Sequence, residues 1–213
     1  MFVEGTLRWQ VTEDCPWDLL MALCLRDLAG LTDVGDPPLP AIIPAVARTE
    51  GAEGGGAPRR SLVRHTVQTD TDELRVQWSN WWHRTLIRES RPIVSALRPP
   101  HFTVFDRELE LQDLVEEFYE DALAWTSDRR DEYITFSTAA RARQAMDIVD
   151  VVRDREHVLR RQAGSFRLDM CVMPLAEKGA WIVAPQTIVV SQSLRNDPAA
   201  FRQWFTPLVN VLV

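Results

Sequence analysis

Apolar and polar residues alternate over 6–11, with Leu7, Trp9 and Val11 on one side and Thr6, Arg8 and Gln10 on the other. This is the two-residue period of a half-buried strand. Cys15-Pro16 then opens a helix to about Ala29, because proline suits a first helical position and Asp18 lies in the first turn, where the helix dipole favours an anion. Trp17, Leu19, Leu20, Met21, Leu23, Cys24, Leu25 and Leu28 leave that helix apolar nearly all round, so it belongs inside a core or an interface. Gly30 marks its stop.

The stretch 69–100 is the one around which the rest is expected to be organised. From a cap at Thr71, the residues Leu74, Trp78, Trp81, Trp82, Thr85 and Leu86 recur at spacings of three and four, one broad face of a helix. Val76, Asn80, His83 and Ile87 form a second, weaker row. Pro92 ends or kinks the helix and Pro99-Pro100 closes the segment. An alternating strand over 61–68, with Val63, His65 and Val67 on one side, leads into it, and 101–105 reads as a further short strand.

Asp106 is placed to cap the next helix, whose Leu111, Leu114, Val115, Phe118, Ala122 and Trp125 match the helical template. A short strand over 133–136 follows, then a long helix from Ser137 or Thr138 through Ala145, Ile148, Val149, Val152 and Leu159 to a stop at Gly164. Phe166, Leu168, Met170 and Val172 alternate as a strand, 176–179 reads as a turn, and 181–190 returns as its partner, with Pro185 marking a bulge or an edge. Asp197-Pro198 supplies a cap and first residue for a last helix bearing Phe201, Trp204, Phe205, Leu208 and Leu212. The run 207–213, polar only at Asn210, is expected to dock on the chain's own hairpin or on a second copy. These elements predict a single α+β domain over 1–213, with about five helices on a small mixed or antiparallel sheet and a C-terminal β-hairpin followed by a helix.

Composition narrows the reading only a little. With 213 residues, 46% hydrophobic and 26% charged, the chain is long enough for one substantial core. The net charge of −7 is local, since 106–121 holds eight acids against Arg107 and the remainder balances. Affinity for nucleic acid needs a concentrated basic surface and is not expected. All basic residues but Lys178 are arginines, which carries no functional weight. Cys15, Cys24 and Cys171 are odd in number and lack metal-type spacing, which argues for reduced thiols and against a disulfide framework or zinc site. No basic region followed by an apolar run opens the chain, and the longest uncharged stretch, 179–194, is too short and too polar to span a bilayer. A cytoplasmic protein without membrane contact is the expectation.

Candidate chemistry is sparse. The glycine-rich part of the long Pro/Gly-rich loop over 33–60 has no lysine after it, no apolar strand before it and Pro58 behind it, so it does not read as a phosphate cradle. His65, His83, His101 and His157 fall in no ligand spacing. Cys15, at a helix start, is the one nucleophile suspect, but no base is near it in sequence. No catalytic residue, metal or cofactor is therefore assigned. Two functional readings remain. The leading one is a non-catalytic interaction protein, an adaptor or assembly factor, that meets a protein partner or itself through the acidic row Glu110, Asp113, Glu117, Glu120 and Asp121. The alternative is a small-ligand-binding protein or enzyme of unfamiliar type, with a pocket at Trp82, His83 and Ile87 roofed by the loop 33–60.

Overall fold

The computed structural model describes residues 2–3, 8–47, 67–87 and 97–213. A mixed five-stranded sheet lies at its centre, in the order β1-β2-β3-β5-β4. Strands β2 (Trp9–Asp14), β3 (Phe166–Met173) and β5 (Thr187–Ser191) run parallel; β1 (Phe2–Val3) and β4 (Ala180–Ala184) are antiparallel on the two edges. Every residue of β5 is buried, as a parallel strand covered on both faces requires, whereas the edge strand β4 leaves Ile182 exposed. The alternation over 6–11 falls on β2, which covers Trp9–Asp14 and keeps Trp9, Val11 and Glu13 on its buried side, while residues 6 and 7 lie outside the described residues.

Helical layers cover both faces. Trp9, Val11, Leu168, Met170, Ile188 and Val190 meet Ile148, Val151 and Val152 of α3 (Leu109–Leu159) and Phe201, Phe205 and Val209 of α5 (Pro198–Leu212). Cys171, Met173 and Val189, one position out of phase in their strands, meet α1 (Trp17–Leu28) and α2 (Val67–Leu86). Helix α1 is buried all round, with every residue from 19 to 25 fully enclosed. At about 1.5–3 kcal/mol for each buried aliphatic side chain, its burial is a large source of stability. Its buried Arg26 donates to the carbonyls of Leu39 and Pro40 at 2.8 Å, and Asp27 accepts from the Ile42 amide at 2.7 Å, so one charged pair ties the described part of the long loop to the core.

The tryptophan stretch is helical, but α2 begins at Val67 and not at Thr71, so Val67 and Gln68 are helix where a strand was expected. The rest of that strand, 61–66, lies outside the described residues, as do the glycine-rich tip of the loop and Pro92. Residues 101–105 form no strand: Thr103–Phe105 is a single 3-10 turn, which seats Phe105 edge-on against Trp81 at 5.4 Å. Nor do 133–136 form a strand. One helix of 51 residues, α3, runs through the positions read as two helices and a strand, starting after Glu108 rather than at Asp106. The stripe Leu111, Val115, Ala122, Thr126, Tyr133, Ser137, Ala140, Gln144, Ile148 and Val152 is buried throughout at helical spacings, and that continuous burial overrides the local β preference of Tyr133, Ile134 and Phe136. The helix ends before Gly164, at Arg160, whose left-handed φ of 52° lets its amide bond back to His157.

The C-terminal hairpin is present, with different partners. The expected strand 181–190 is two strands, β4 and β5, which turn about Pro185 and Gln186 and pair with each other; β3 pairs with β5 in parallel. A short helix α4 (Gln192–Arg195) follows β5, and then α5, whose cap Asp197 accepts from the Ala200 amide at 3.1 Å with Pro198 in the first turn. Val209 and Val213 are buried against the β3 and β5 face and α3, while Val211 points outward.

Candidate functional site

The carboxyl ends of β2, β3 and β5 point to one place, and three elements with polar residues converge there. Strand β2 brings Glu13, an acid in the inward phase of Trp9 and Val11. Strand β3 brings Val172. After β5, Ser191 caps α4 by accepting from the Leu194 amide, and that one-turn helix presents Gln192, Arg195 and the following Asn196. Across from them passes the middle of α3 with Glu132, Tyr133, Phe136 and Gln144. Together these residues line a cavity of about 240 Å³.

Arg195 is the centre of its electrostatics. The side chain is 1% exposed, and its Nε and Nη2 lie 3.0 and 2.9 Å from Oε2 of Glu13, which is fully buried. Nη2 also donates to the Gln144 carbonyl at 2.8 Å, and the guanidinium stacks 4.2 Å from the centre of the Phe201 ring. A second acid, Asp147, stands 3.8 Å from Nη1 and is held at 2.9 Å by Nε of Arg202, which reaches Asp150 as well. Taking such charges out of water costs several kcal/mol per ion, so the pairing is what allows the site to exist.

Pairing does not use every group. Nη1 of Arg195 and the Asp147 Oδ2 it faces at 3.8 Å, the Tyr133 hydroxyl and Oε1 of Gln144 are buried and make no hydrogen bond within the protein. Burial, and next the Glu13 carboxylate, raise the Tyr133 phenol well above its ordinary range, so at neutral pH it is a neutral hydroxyl able to donate. The residues that carry these atoms line a small chamber, and a few fixed polar groups in an otherwise closed pocket suit a small molecule.

The residues singled out in the sequence sit elsewhere. Trp82 is 1% exposed, stacks on Trp78 at 5.6 Å, and is covered by the backbone at Gly35, where an added Cβ would stand 3.5 Å from its Nε1. Gly35, at the described start of the long loop, packs on this tryptophan as part of the core. His83, bonded through Nδ1 to the Ser79 carbonyl, and Ile87 lie on the exposed side of the same helix, so the structure does not bring the three together. Of the acids on α3, Asp113, Glu117 and Glu120 are exposed, Asp121 is half-buried, and the half-buried Glu110 accepts from Nε2 of Gln77. Beside them, an open groove of about 560 Å³ runs between α2 and the 3-10 turn, lined by Val76, Asn80, Arg84 and Glu108. Cys15 is fully buried, and burial and Asp14 hold its thiol far above the reactive range; Cys24 is pushed up to about 12 by burial. These thiols pack; they do not attack.

Among the described residues no group of three or more histidines, cysteines and acids is placed to hold a metal ion, and no helix is long and apolar enough to cross a membrane. The chamber itself left two signals in the sequence: an acid in the buried phase of a strand, at Glu13, and the polar interval Tyr133, Ser137 and Gln144 in the buried stripe of α3. Arg195 left none, because its partner Glu13 lies 182 residues away. Neither protein-family models, nor curated proteins, nor solved structures match this chain.

Proposed function

We propose that this protein binds a small molecule in the chamber at the carboxyl ends of β2, β3 and β5. The observation that carries this reading is a cavity of about 240 Å³ beyond the strand ends, lined by the buried polar residues Glu13, Tyr133, Gln144 and Arg195 together with the apolar Val172 and Phe136. A small concave site with apolar walls and a few fixed polar groups is the usual form of a small-molecule site. The position agrees with the rule that parallel sheets bind ligands beyond the carboxyl ends of their strands. The compartment proposed is the cytoplasm, where the free thiols of Cys15, Cys24 and Cys171 stay reduced. Thermal-shift screening of a metabolite panel tests the reading, with Val172→Phe, which fills the chamber, as control. A ligand at a hundred times its Kd adds about 2.7 kcal/mol, enough to raise the melting temperature of a domain this size by several degrees. Such a shift in the parent, lost in a Val172→Phe protein that still melts cooperatively, is the expected result. No shift with any compound, or equal shifts in both proteins, contradicts it.

A second reading, docking of a basic protein partner or a second copy, is favoured by the exposed acids Asp113, Glu117 and Glu120 of α3, with Val76 on α2 and Ile87 just after it more than half exposed. Such a complex should weaken with salt, because exposed charges are screened within about 8 Å at physiological ionic strength. Native mass spectrometry showing only monomers, alone and with cell extract, contradicts it.

A further inference from the structure

The sheet ends on β4, and among the described residues no strand lies beyond it. One contact fixes how this edge is oriented. The Ser191 amide donates to the Gly179 carbonyl at 2.9 Å, so residue 179 and its alternate, Trp181, turn their backbone groups toward β5. Ala180 and Ile182 then turn their N–H and C=O groups outward, onto the open edge. Edge strands are ordinarily blunted by a charge, a proline or a bulge. The strand Ala180-Trp181-Ile182-Val183-Ala184 holds no charge and no proline, and its register shift comes only after Ile182.

Apolar surface continues from this edge onto α5. Ala180 and Ile182 lie opposite Val190 and Ile188 and so share the face covered by α3 and α5. Ile188 is 2% exposed and Ile182 63%, which means that the helical layer covers β5 and stops short of β4. Lys178 meets Asp197, the cap of α5, at 2.6 Å, and this starts α5 beside the turn into β4. Arg202 reaches toward α3 through Asp147 and Asp150. At about 100° per residue, Ala200, Trp204, Leu208 and Val211 lie on the opposite flank of α5. The first three are half-buried and Val211 is exposed.

Charge selects what covers this flank. A basic partner finds no acid among these residues to pair with, whereas two copies of a chain of net charge −7 meet with least repulsion through a face without charge. The edge also matches itself, since a strand paired antiparallel with its own copy is a contact that a two-fold axis generates and closes. With the axis at Trp181, Ala180 of each copy faces Ile182 of the other, their outward N–H and C=O groups bond across the axis, and each large isoleucine stands beside a small alanine. A five-residue strand is about 17 Å long and a fifteen-residue helix about 22 Å. The flank they form is on the order of 400 Å², against about 800 Å² per partner in a standard interface, which makes the contact a reversible one.

We propose that this flank binds a second copy of the chain, β4 pairing antiparallel with β4 about a two-fold axis at Trp181 and joining the two sheets. The proposal is independent of the chamber. Sedimentation velocity of the full chain from about 1 to 300 µM tests it, and a dimer fraction that grows over this range is expected. Ala180→Pro removes an outward donor while leaving the bonds between β4 and β5 alone, and Ile182→Lys puts a charge on the exposed edge. Each should weaken association at least about tenfold in a protein that melts as the parent does, while Glu117→Lys on α3 changes nothing. A parent that stays monomeric overturns the proposal, whether or not some other protein binds the edge. So does a dimer that Ile182→Lys leaves intact or that Glu117→Lys disrupts, because it runs through another surface. A dimer lost in Ile182→Lys and kept in Ala180→Pro overturns the strand pairing. Should Ala180→Pro not fold, hydrogen exchange of the parent decides in its place. The Ala180 and Ile182 amides should exchange at least about tenfold more slowly when mostly dimeric than when monomeric, and equal rates overturn the pairing.

Discussion

Two regions of this molecule concentrate unusual residues, and they resolve oppositely. The tryptophan layer of α2 gathers Trp78, Trp81 and Trp82 from one helix at spacings of three and four, and all three are at most 1% exposed. Trp78 donates its indole N–H to the Ala22 carbonyl at 2.9 Å, and Trp81 packs on Phe105. The chamber beyond the strand ends gathers Glu13, Tyr133, Gln144 and Arg195 from three separate elements, buries them nearly as well, and leaves Arg195 Nη1, Tyr133 OH and Gln144 Oε1 without a hydrogen bond. Unbonded buried polar atoms occur in both regions, the indole N–H groups of Trp81 and Trp82 included. What sets the second apart is that its polar residues line a cavity, and a cavity with buried polar walls is a stronger sign of a binding site than a conspicuous side chain.

The largest expected effect separates the two regions by charge. Arg195→Ala leaves Glu13 buried without its Arg195 partner and should cost about 3–5 kcal/mol in urea unfolding, a large part of a typical domain's stability. The apolar pair Glu13→Leu with Arg195→Met should recover much of that loss, since replacing both members of a buried pair is often neutral. If Arg195→Ala were as stable as the parent, the buried pair would not be what holds the chamber walls. Trp82→Ala should also cost about 3–5 kcal/mol, through the cavity it leaves, yet shift no ligand affinity. Loss of binding in a folded Trp82→Ala protein would return the ligand to the site first expected at Trp82 and His83.

Much of the fold was legible because burial and period coincide. The alternation of Trp9 and Val11, the all-round apolarity of α1 and the Asp197-Pro198 start of α5 each follow from a local rule, and each is found. The errors fall where long-range packing decided. Tyr133, Ile134 and Phe136 favour a strand locally, but their helix is fixed by neighbours on both ends of α3. Pro185 was read as interrupting one strand when it turns two, since nothing local says that β3 pairs with β5 rather than with β4. The chamber was missed for the same reason: its residues are adjacent only after the sheet forms.

A smaller effect sharpens the contrast through pH. The chain has two tyrosines, Tyr119 and Tyr133, both raised above the ordinary value, chiefly by burial. The unfolded phenols release their protons near pH 10 and the native ones later, so the stability these groups contribute is full below about pH 10 and is lost as pH rises beyond it. Absorbance titration should show Tyr119 ionising first and Tyr133 only together with alkaline unfolding. A Tyr133 that titrates near pH 10 in the folded protein would mean that the chamber is open to bulk water.

The most direct measurement follows nitrogen–proton spectra of the labelled full chain during addition of the panel compound that raises its melting temperature most. The side-chain amides of Gln144, Gln192 and Asn196 at the chamber, and the indole N–H groups of Trp78, Trp81 and Trp82 in the core, report the two regions in one spectrum. The account predicts saturable shifts at Gln144 and its neighbours with the three indoles unmoved. Shifts centred on the indoles, or none in either region, would contradict it.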